Sequence, residues 1–486
     1  MKLGPKIGMS DRHERTLMTT RMFGATAALI AAASPVQAQP ADDATFRAIY
    51  KELVETNTTL SAGNCTLAAE RMAARLKSAG FSDRELHIVP APGKPKEGSL
   101  VAVLPGTDPK AKAILLLAHI DVVEARREDW ERDPFKLIEE DGFFYARGAS
   151  DDKAQAAVWV DTLARFRREG FKPRRTVKMA LTCGEETAGA FNGAEYLAKE
   201  RRDLIDAEFA LNEGAGGLLD AQGKRVVLNI QAGEKFPQNY RLEVTNPGGH
   251  SSRPVKENAI YRLSDAMVKV RAYDFPVQVN DATRGYFSAM AKLVGPREGA
   301  VAMASFAANP ADSAAAAALA ATSPANNAIL RTTCVATMLE GGHATNALPQ
   351  KARANVNCRI FPGTSAEEVR RALETIVGDP QVKVTTLETR SPTAPPPPLT
   401  ERILGPARKV AARVFPGVPL VPLMAAGGTD GAFLTPAGIP TYGITGFFAD
   451  AEGSRAHGLN ERIRVKSVME GRTFLYELVK AYAAKR

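Results

Sequence analysis

The sequence predicts an α/β protein with a largely parallel sheet packed between helices in three layers, interrupted by a smaller α+β domain. Three observations carry that reading. From Asp43 to about Ala232, helix-like and strand-like segments alternate. From about Phe236 to Ser391 the order changes to strands grouped around two helices, the arrangement of a separate antiparallel unit. After the proline-rich PTAPPPPLT, containing Pro395 to Pro398, helices and a strand, TYGITGF, resume the first pattern. The divisions are 1–38, 39–235, 236–392 and 393–486.

The elements justify this in order. Met18 to Ala38, MTTRMFGATAALIAAASPVQA, joins a basic residue at Arg21 to a short apolar run and small residues, the pattern of a cleaved export signal ending before Gln39. That run is too short to span a bilayer, and no later stretch reaches the required length, so an exported protein without an integral span is expected, periplasmic or secreted. Met18 is an alternative start, because Asp11 and Glu14 are unusual in the head of a signal. The 3.6-residue period of CTLAAERMAARLKSAGF predicts a helix, SLVAVLPG and AILLLAH two strands, DKAQAAVWVDTLARFRREG an amphipathic helix, and TVKMALT and AEFALNE two more strands. In the second region YRLEVTN is a strand and ENAIYRLSDAMVKVRAY a helix. TTCVATMLE and ARANVNCRI are two β runs around the turn-rich GGHATNALP, SAEEVRRALETIV is a helix and VKVTTLE a strand. The alanine-rich ADSAAAAALAA is expected to be an exposed helix of this inserted domain.

The chain has 486 residues, 45% of them hydrophobic and 24% charged, enough to bury large cores in two or three domains. Loss of residues 1–38 removes five basic and two acidic side chains and lowers the formal charge from +9 to +6. No dense Lys/Arg tract with interleaved aromatics occurs, which argues against nucleic acid as the main partner. Nor does a phosphate-cradling glycine loop open a helix after the first strand. Four cysteines are too few for a disulfide scaffold but permit a bridge or two after export. Cys334 and Cys358 lie in the two β runs and could face each other across a hairpin. Cys183 is a core filler, a disulfide half with Cys65, or an oxidation-sensitive thiol.

Candidate chemistry collects at strand ends. His119 and Asp121 follow AILLLA, Asp151 and Asp152 sit in a Gly/Ser loop before a helix, Glu185 and Glu186 follow TVKMALTCG, and Glu213 follows AEFALN. His457 lies in the late loop EGSRAHGLNERI. Two histidines and several carboxylates without a thiolate suit zinc, or cobalt or manganese, in hydrolytic work. Two metals a few ångströms apart need a shared carboxylate, and together they activate water and polarise a carbonyl. Adjacent glutamates then divide labour, one binding metal and its neighbour taking a proton, provided Gly184 ends the strand; a regular strand would point them to opposite faces.

The run LLLAHIDVVEARREDWERDPFKLIEEDGFFYARGASDDKA, followed by TCGEE, NEG, GGHSSRP and AHG, resembles the M20 family of dinuclear zinc metallopeptidases, which includes glutamate carboxypeptidase, dipeptidase and aminoacylase relatives. The resemblance implies a zinc-exopeptidase-like main domain and a ferredoxin-like lid that commonly makes a homodimer. It implies that His119 and Glu213 serve one metal, Glu186 and His457 the other, and Asp151 bridges them. Asp121 would accept a hydrogen bond from the far nitrogen of His119, and Glu185 would be the general base. Asp152 is not expected to be a ligand. His250, from GGHSSRP, would reach an active site, often the partner subunit's, and stabilise the oxyanion. Arg359 and Asn346 match positions that hold a substrate carboxylate and carbonyl, and Gly427, Gly428, Thr429 and Asp430 match a loop lining the substrate site. YARG and DDKA put alanine where the family often has glycine, and Cys183 replaces a small residue before the acidic pair. The implied activity is that of an exported carboxypeptidase or dipeptidase gripping a free C-terminal carboxylate, with an aminoacylase acting on N-acyl amino acids as the alternative. A binding protein with a dead site would have no need of Glu185 beside Glu186.

Overall fold

The computed structural model describes residues 40–187, 191–294, 298–387 and 394–484. The segment read as an export signal, 1–38, lies outside them. Among the described residues no helix is long and apolar enough to cross a membrane.

A ten-stranded sheet organises the main body. Its order is Leu86–Ala91, Lys94–Leu104, Val177–Thr182, Ile114–His119, Phe209–Asn212, Thr441–Gly443, Arg225–Glu234, Gly217–Leu219 and Phe448–Ala449, with Leu420–Ala425 pairing against Arg225–Glu234. Ile114–His119 is parallel to both Val177–Thr182 and Phe209–Asn212, and Thr441–Gly443 continues the parallel set. Every residue of ILLLAH is buried, as expected for a parallel strand covered on both faces. Each buried leucine there contributes about 1.5–3 kcal/mol. The helix Lys153–Arg168 is buried along most of its length. Trp159 anchors it, fully buried with its indole N–H donating to the Leu117 carbonyl at 3.0 Å. That contact ties the helix that follows Asp151 to the strand that carries His119.

A second, four-stranded antiparallel sheet runs Thr333–Gly341, Lys351–Ile360, Phe236–Thr245, Val382–Leu387. Helices Ala259–Ala272 and Ala366–Val377 pack on it around a separate core that includes Tyr240, Leu263, Val356 and Leu373. In chain order these elements form the βαββαβ pattern of ferredoxin-like units. Strand Lys351–Ile360 alternates between buried and less buried positions, exposed at Lys351 and half-buried beyond it, so its polar side chains share one face.

The alanine-rich segment departs from expectation. Helix Ser313–Thr322 is exposed along one side, with Ser313, Ala314, Ala317, Ala318, Ala321 and Thr322 open, but its other face is not: Ala315, Ala316 and Leu319 are buried, and Ala316 and Leu319 belong to the main core with Phe287, Phe306 and Leu330. It packs on helix Glu298–Ala308, which packs on Asp281–Leu293, and that helix lies on strand Leu420–Ala425, with Gly285 so close to Pro422 that a Cβ would lie 2.6 Å from the ring. A helix of alanines has no amphipathic stripe to reveal its buried face, and small side chains let helices pack closely whichever face is used.

Both cysteine pairs are bridged. Cys334 and Cys358 face each other in register across adjacent antiparallel strands. Cys65 and Cys183 join the start of helix Cys65–Ser78 to the loop that carries the two glutamates. Closing a separation of 118 residues contributes about 4–5 kcal/mol on the chain-entropy account.

Candidate metal centre

Register brings the first residues together. His119 pairs with Thr182 across the parallel ladder, and the Ile120 N–H donates to the Thr182 carbonyl at 2.8 Å. Asp121 therefore emerges level with the Gly184–Glu186 turn. Its two carboxylate oxygens accept the backbone N–H groups of Glu185 at 3.3 Å and Glu186 at 3.1 Å. Gly184 makes that turn with φ +96°, and a Cβ on it would sit 1.8 Å from the Phe191 carbonyl oxygen. Only glycine fits there, and the turn ends the strand alternation that would otherwise send the glutamates to opposite faces.

His119 is buried, with Nδ1 3.1 Å from the Asp121 backbone carbonyl and 3.7 Å from the Asp121 carboxylate. The nearer acceptor is thus the main chain, where a carboxylate contact was expected. A carbonyl can only accept, so Nδ1 carries the hydrogen and the lone pair of Nε2 faces outward. That nitrogen lies 3.0 Å from Asp151 Oδ1 and 3.7 Å from Glu213 Oε2. Glu213 is delivered by the end of the adjacent strand Phe209–Asn212.

The other oxygen of Asp151 faces the second histidine. His457 Nε2 lies 3.2 Å from Asp151 Oδ2 and 2.8 Å from Glu186 Oε2. Two groups could therefore each hold a metal ion, His119–Asp151–Glu213 and Asp151–Glu186–His457, their ligand atoms all within 4.8 Å of one another inside each group. They share Asp151, with one oxygen toward each histidine. Nitrogen and carboxylate donors at this spacing fit a pair of divalent ions. Asp152 joins neither group; it is buried, and the Asp151–Asp152 peptide is cis.

The electrostatics follow from crowding acids in a desolvated pocket. Burial pushes the Glu186 carboxyl up to about 7 and raises Glu185 well above the usual range, with neighbouring carboxylates adding to the rise. Burial would also raise Asp151, but with no metal bound the protonated forms of His119 and His457, each carrying a proton toward it, hold it below its ordinary value. The hydrogen bond to Asp151 lifts His457 to about 9. The site thus favours added positive charge.

Sequence reasoning missed Glu461. It is fully buried and accepts hydrogen bonds from the backbone N–H groups of Gly148, Ser150 and Asp151, at 3.0, 2.7 and 3.0 Å, and from Arg147 Nη1 at 2.8 Å. Arg147 in turn donates to the Gly458 carbonyl at 2.8 Å. One carboxylate thereby couples the loop of Asp151 to the loop of His457. The signal available was its place four residues after His457 in AHGLNERI.

The proposed substrate residues fall into two places. Thr429 Oγ1 donates to Glu234 at 2.9 Å and accepts from Asn212 Nδ2 at 3.1 Å. Asp430, buried, accepts from Thr182 and Asn192, both at 2.7 Å. Those bonds tie the Gly427–Asp430 loop to the strand ends beside the cluster. Gly428 has ordinary space, a Cβ meeting nothing nearer than 3.5 Å. Arg359 lies on an inner strand between Pro237 and Thr333, half-buried, and no acidic partner faces its guanidinium among the described residues. His250 and Asn346 meet each other instead: Gly249–His250 pairs with Ala347–Leu348, and the Ser251 N–H donates to the Asn346 carbonyl at 3.0 Å. No hydrogen bond or ion pair joins His250 to the carboxylate cluster among the described residues. Its Nδ1 accepts the Ser252 N–H at 3.1 Å, which leaves Nε2–H as an outward donor.

Comparison with known proteins gives a consistent picture. A model of peptidase family M20/M25/M40 matches residues 115–481. The human N-fatty-acyl-amino acid synthase/hydrolase PM20D1 is 30% identical over 393 residues, 79% of this chain and 77% of that protein. A probable carboxypeptidase S-like 2 of Dictyostelium discoideum is 28% identical over 394 residues, 79% of this chain and 74% of that protein. Among solved structures, the metallo-carboxypeptidase Sso-CP2 of Sulfolobus solfataricus superposes with a TM-score of 0.66 at 19% identity, over 90% of this chain and 99% of that one.

Proposed function

The chain belongs to the M20/M25/M40 peptidase family and is a metal-dependent hydrolase, and from that premise we propose that it cleaves the amide bond to a carboxyl-terminal amino acid in an exported, zinc-loaded form. The observation that carries this reading is Asp151, whose two oxygens face His119 and His457 at 3.0 and 3.2 Å. His119, Asp151 and Glu213 would hold one ion, and Asp151, Glu186 and His457 the other. When bound, the pair lowers the pKa of a water molecule and polarises the scissile carbonyl.

The remaining steps belong to side chains. Glu185 takes the proton of the attacking water and returns it to the leaving nitrogen. Asp121 holds the backbones of both glutamates through two hydrogen bonds, and its main-chain carbonyl fixes the His119 tautomer. Arg359 receives the substrate carboxylate, for which a guanidinium fork is suited, with Asn346 and the Gly428–Thr429 loop beside the substrate. Between the two acyl classes, N-acyl amino acids are supported by the name of the human relative. Peptides are supported by those of the Dictyostelium and Sulfolobus proteins.

Mass-spectrometric analysis of products from N-acyl amino acids, dipeptides and their C-terminal amides tests this. We expect zinc-restorable release of the terminal amino acid, abolished by amidation, from a mature chain beginning at Gln39; Arg359→Ala should raise KM by about tenfold or more, the loss of one charge-assisted contact. Equal cleavage of amidated substrates would remove Arg359 from carboxylate recognition.

His250 is proposed to act as an oxyanion donor on closure of the four-stranded domain, delivered by a homodimer. The edge strand Thr333–Gly341 supports the dimer, with Val335, Met338 and Leu339 at 60%, 62% and 71% exposure; such an edge invites pairing. Light scattering should give a dimer, and His250→Ala should lower kcat with KM and metal content retained. A monomer with full activity would sink the shared-site reading.

A further inference from the structure

Glu213 lines two cavities. The smaller, about 50 Å³, lies between the Thr429 loop and Phe236, Pro362 and Pro396. It opens beside the strand pair in which Arg359 faces Pro237. The larger, about 400 Å³, runs from Asp151 and Glu213 past a floor of Gly214 to Gly217 to walls that include Phe143, Phe447, Phe448 and Leu218. A Cβ on Gly216 would lie 2.6 Å from the Phe447 carbonyl oxygen, and one on Gly217 2.2 Å from the Phe448 ring. At these two positions nothing larger than glycine fits.

A substrate with its scissile amide at Asp151 and Glu213 has two ends and two cavities to receive them. The charges decide which end goes where. Two cations, Arg462 and Arg464, border the larger cavity, but both are committed: Arg462 pairs with Glu452 at 2.8 Å and Arg464 with Asp450 at 2.8 Å, and both guanidiniums lie over the Phe143 ring. Neither is left to hold a carboxylate. Arg359 lines neither cavity itself, but it is one position along the strand pair from Phe236, which lines the smaller one, and it has no acidic partner among the described residues.

We propose that the larger cavity is an acyl-chain slot: it takes the apolar chain of an N-acyl amino acid of medium length, while the amino acid lies toward Arg359. This rests on the amide-hydrolase reading and goes beyond it in naming the chain and the residues that measure it. The free amine of a peptide is disfavoured in the slot, because no uncommitted acid stands open to it: Asp450 is held by Arg464, Asp151 and Glu213 belong to the metal centre, and Asp152 is buried at 2% exposure.

The test uses the zinc-loaded full-length mature protein with N-acetyl, N-butanoyl, N-hexanoyl and N-octanoyl derivatives of one amino acid. We expect kcat/KM to rise by roughly fourfold per added methylene, the value of burying one CH2, until the slot is full. Leu218, 43% exposed on the wall, tolerates replacement. Leu218→Trp should lower the octanoyl-to-acetyl ratio of kcat/KM at least tenfold, and Leu218→Ala should weaken the chain-length preference. A flat chain-length profile, a uniform loss across the series in Leu218→Trp, or a preference for dipeptides with a free amine would overturn the assignment. Octanoate binding by calorimetry separates the two readings. Should no amide be cleaved, the hydrolase reading fails, while octanoate bound by the parent and weakened by Leu218→Trp still upholds the slot. Octanoate bound by neither refutes it.

Discussion

Glu185→Gln is expected to lower turnover by roughly a hundred- to ten-thousandfold while the protein keeps its metal. The two adjacent glutamates are alike in type and separated by partners. Glu186 lies 2.8 Å from His457 within one candidate metal group, whereas Glu185 belongs to neither group and is held near them by its own backbone N–H on Asp121. Gln has the shape of Glu but does not accept a proton at neutral pH, so the substitution removes the base and leaves the Gly184 turn and the Asp121 hydrogen bonds in place. Metal analysis and steady-state kinetics on the same preparation decide the point. Turnover equal to the parent would end the general-base assignment, and loss of metal would show that Glu185 is a ligand instead.

Asp151→Ala should empty both metal sites together. The two candidate groups share this residue alone, and its oxygens face different histidines. Affinity for both ions should fall by more than about a hundredfold, beyond the ten- to hundredfold that follows loss of a residue that merely orients a ligand. Activity should be undetectable. Circular dichroism keeps the result interpretable, because the helix that follows is anchored by Trp159 rather than by Asp151. Asp151→Asn, which preserves shape and removes charge, should also weaken both ions. A variant retaining two tightly bound ions, or losing only one, would contradict the bridge.

Much of this site was legible in the chain because its parts obey local rules. Continuous apolar runs such as ILLLAH mark buried parallel strands, and side chains just beyond their carboxyl ends converge. His119, Glu186 and Glu213 each follow such a run, and Gly184 before two acids signals a turn. The Cys334–Cys358 pair was legible for the same reason, since a short connection sets the register of an antiparallel pair. What escaped detection involves partners far apart in sequence. Glu461 meets the Asp151 backbone across 310 residues, and nothing in AHGLNERI says which amides its carboxylate will find. The Asp121 carbonyl, rather than its carboxylate, takes the nearer hydrogen bond from His119, because the angle at which the chain leaves the strand is decided by the Thr182 ladder beside it.

The sequence by itself determined the alternation of helices and strands in the main body, the candidate metal ligands and the family to which the chain belongs, because period, turn chemistry and residue type act over a few neighbours. Only the tertiary structure decided that the alanine helices enter the main core, that Cys65 bridges to Cys183, and that Glu213 lines two cavities of different size. Those outcomes depend on which distant surfaces meet, and close packing of whole layers selects them among many local arrangements that the same residues would satisfy equally well.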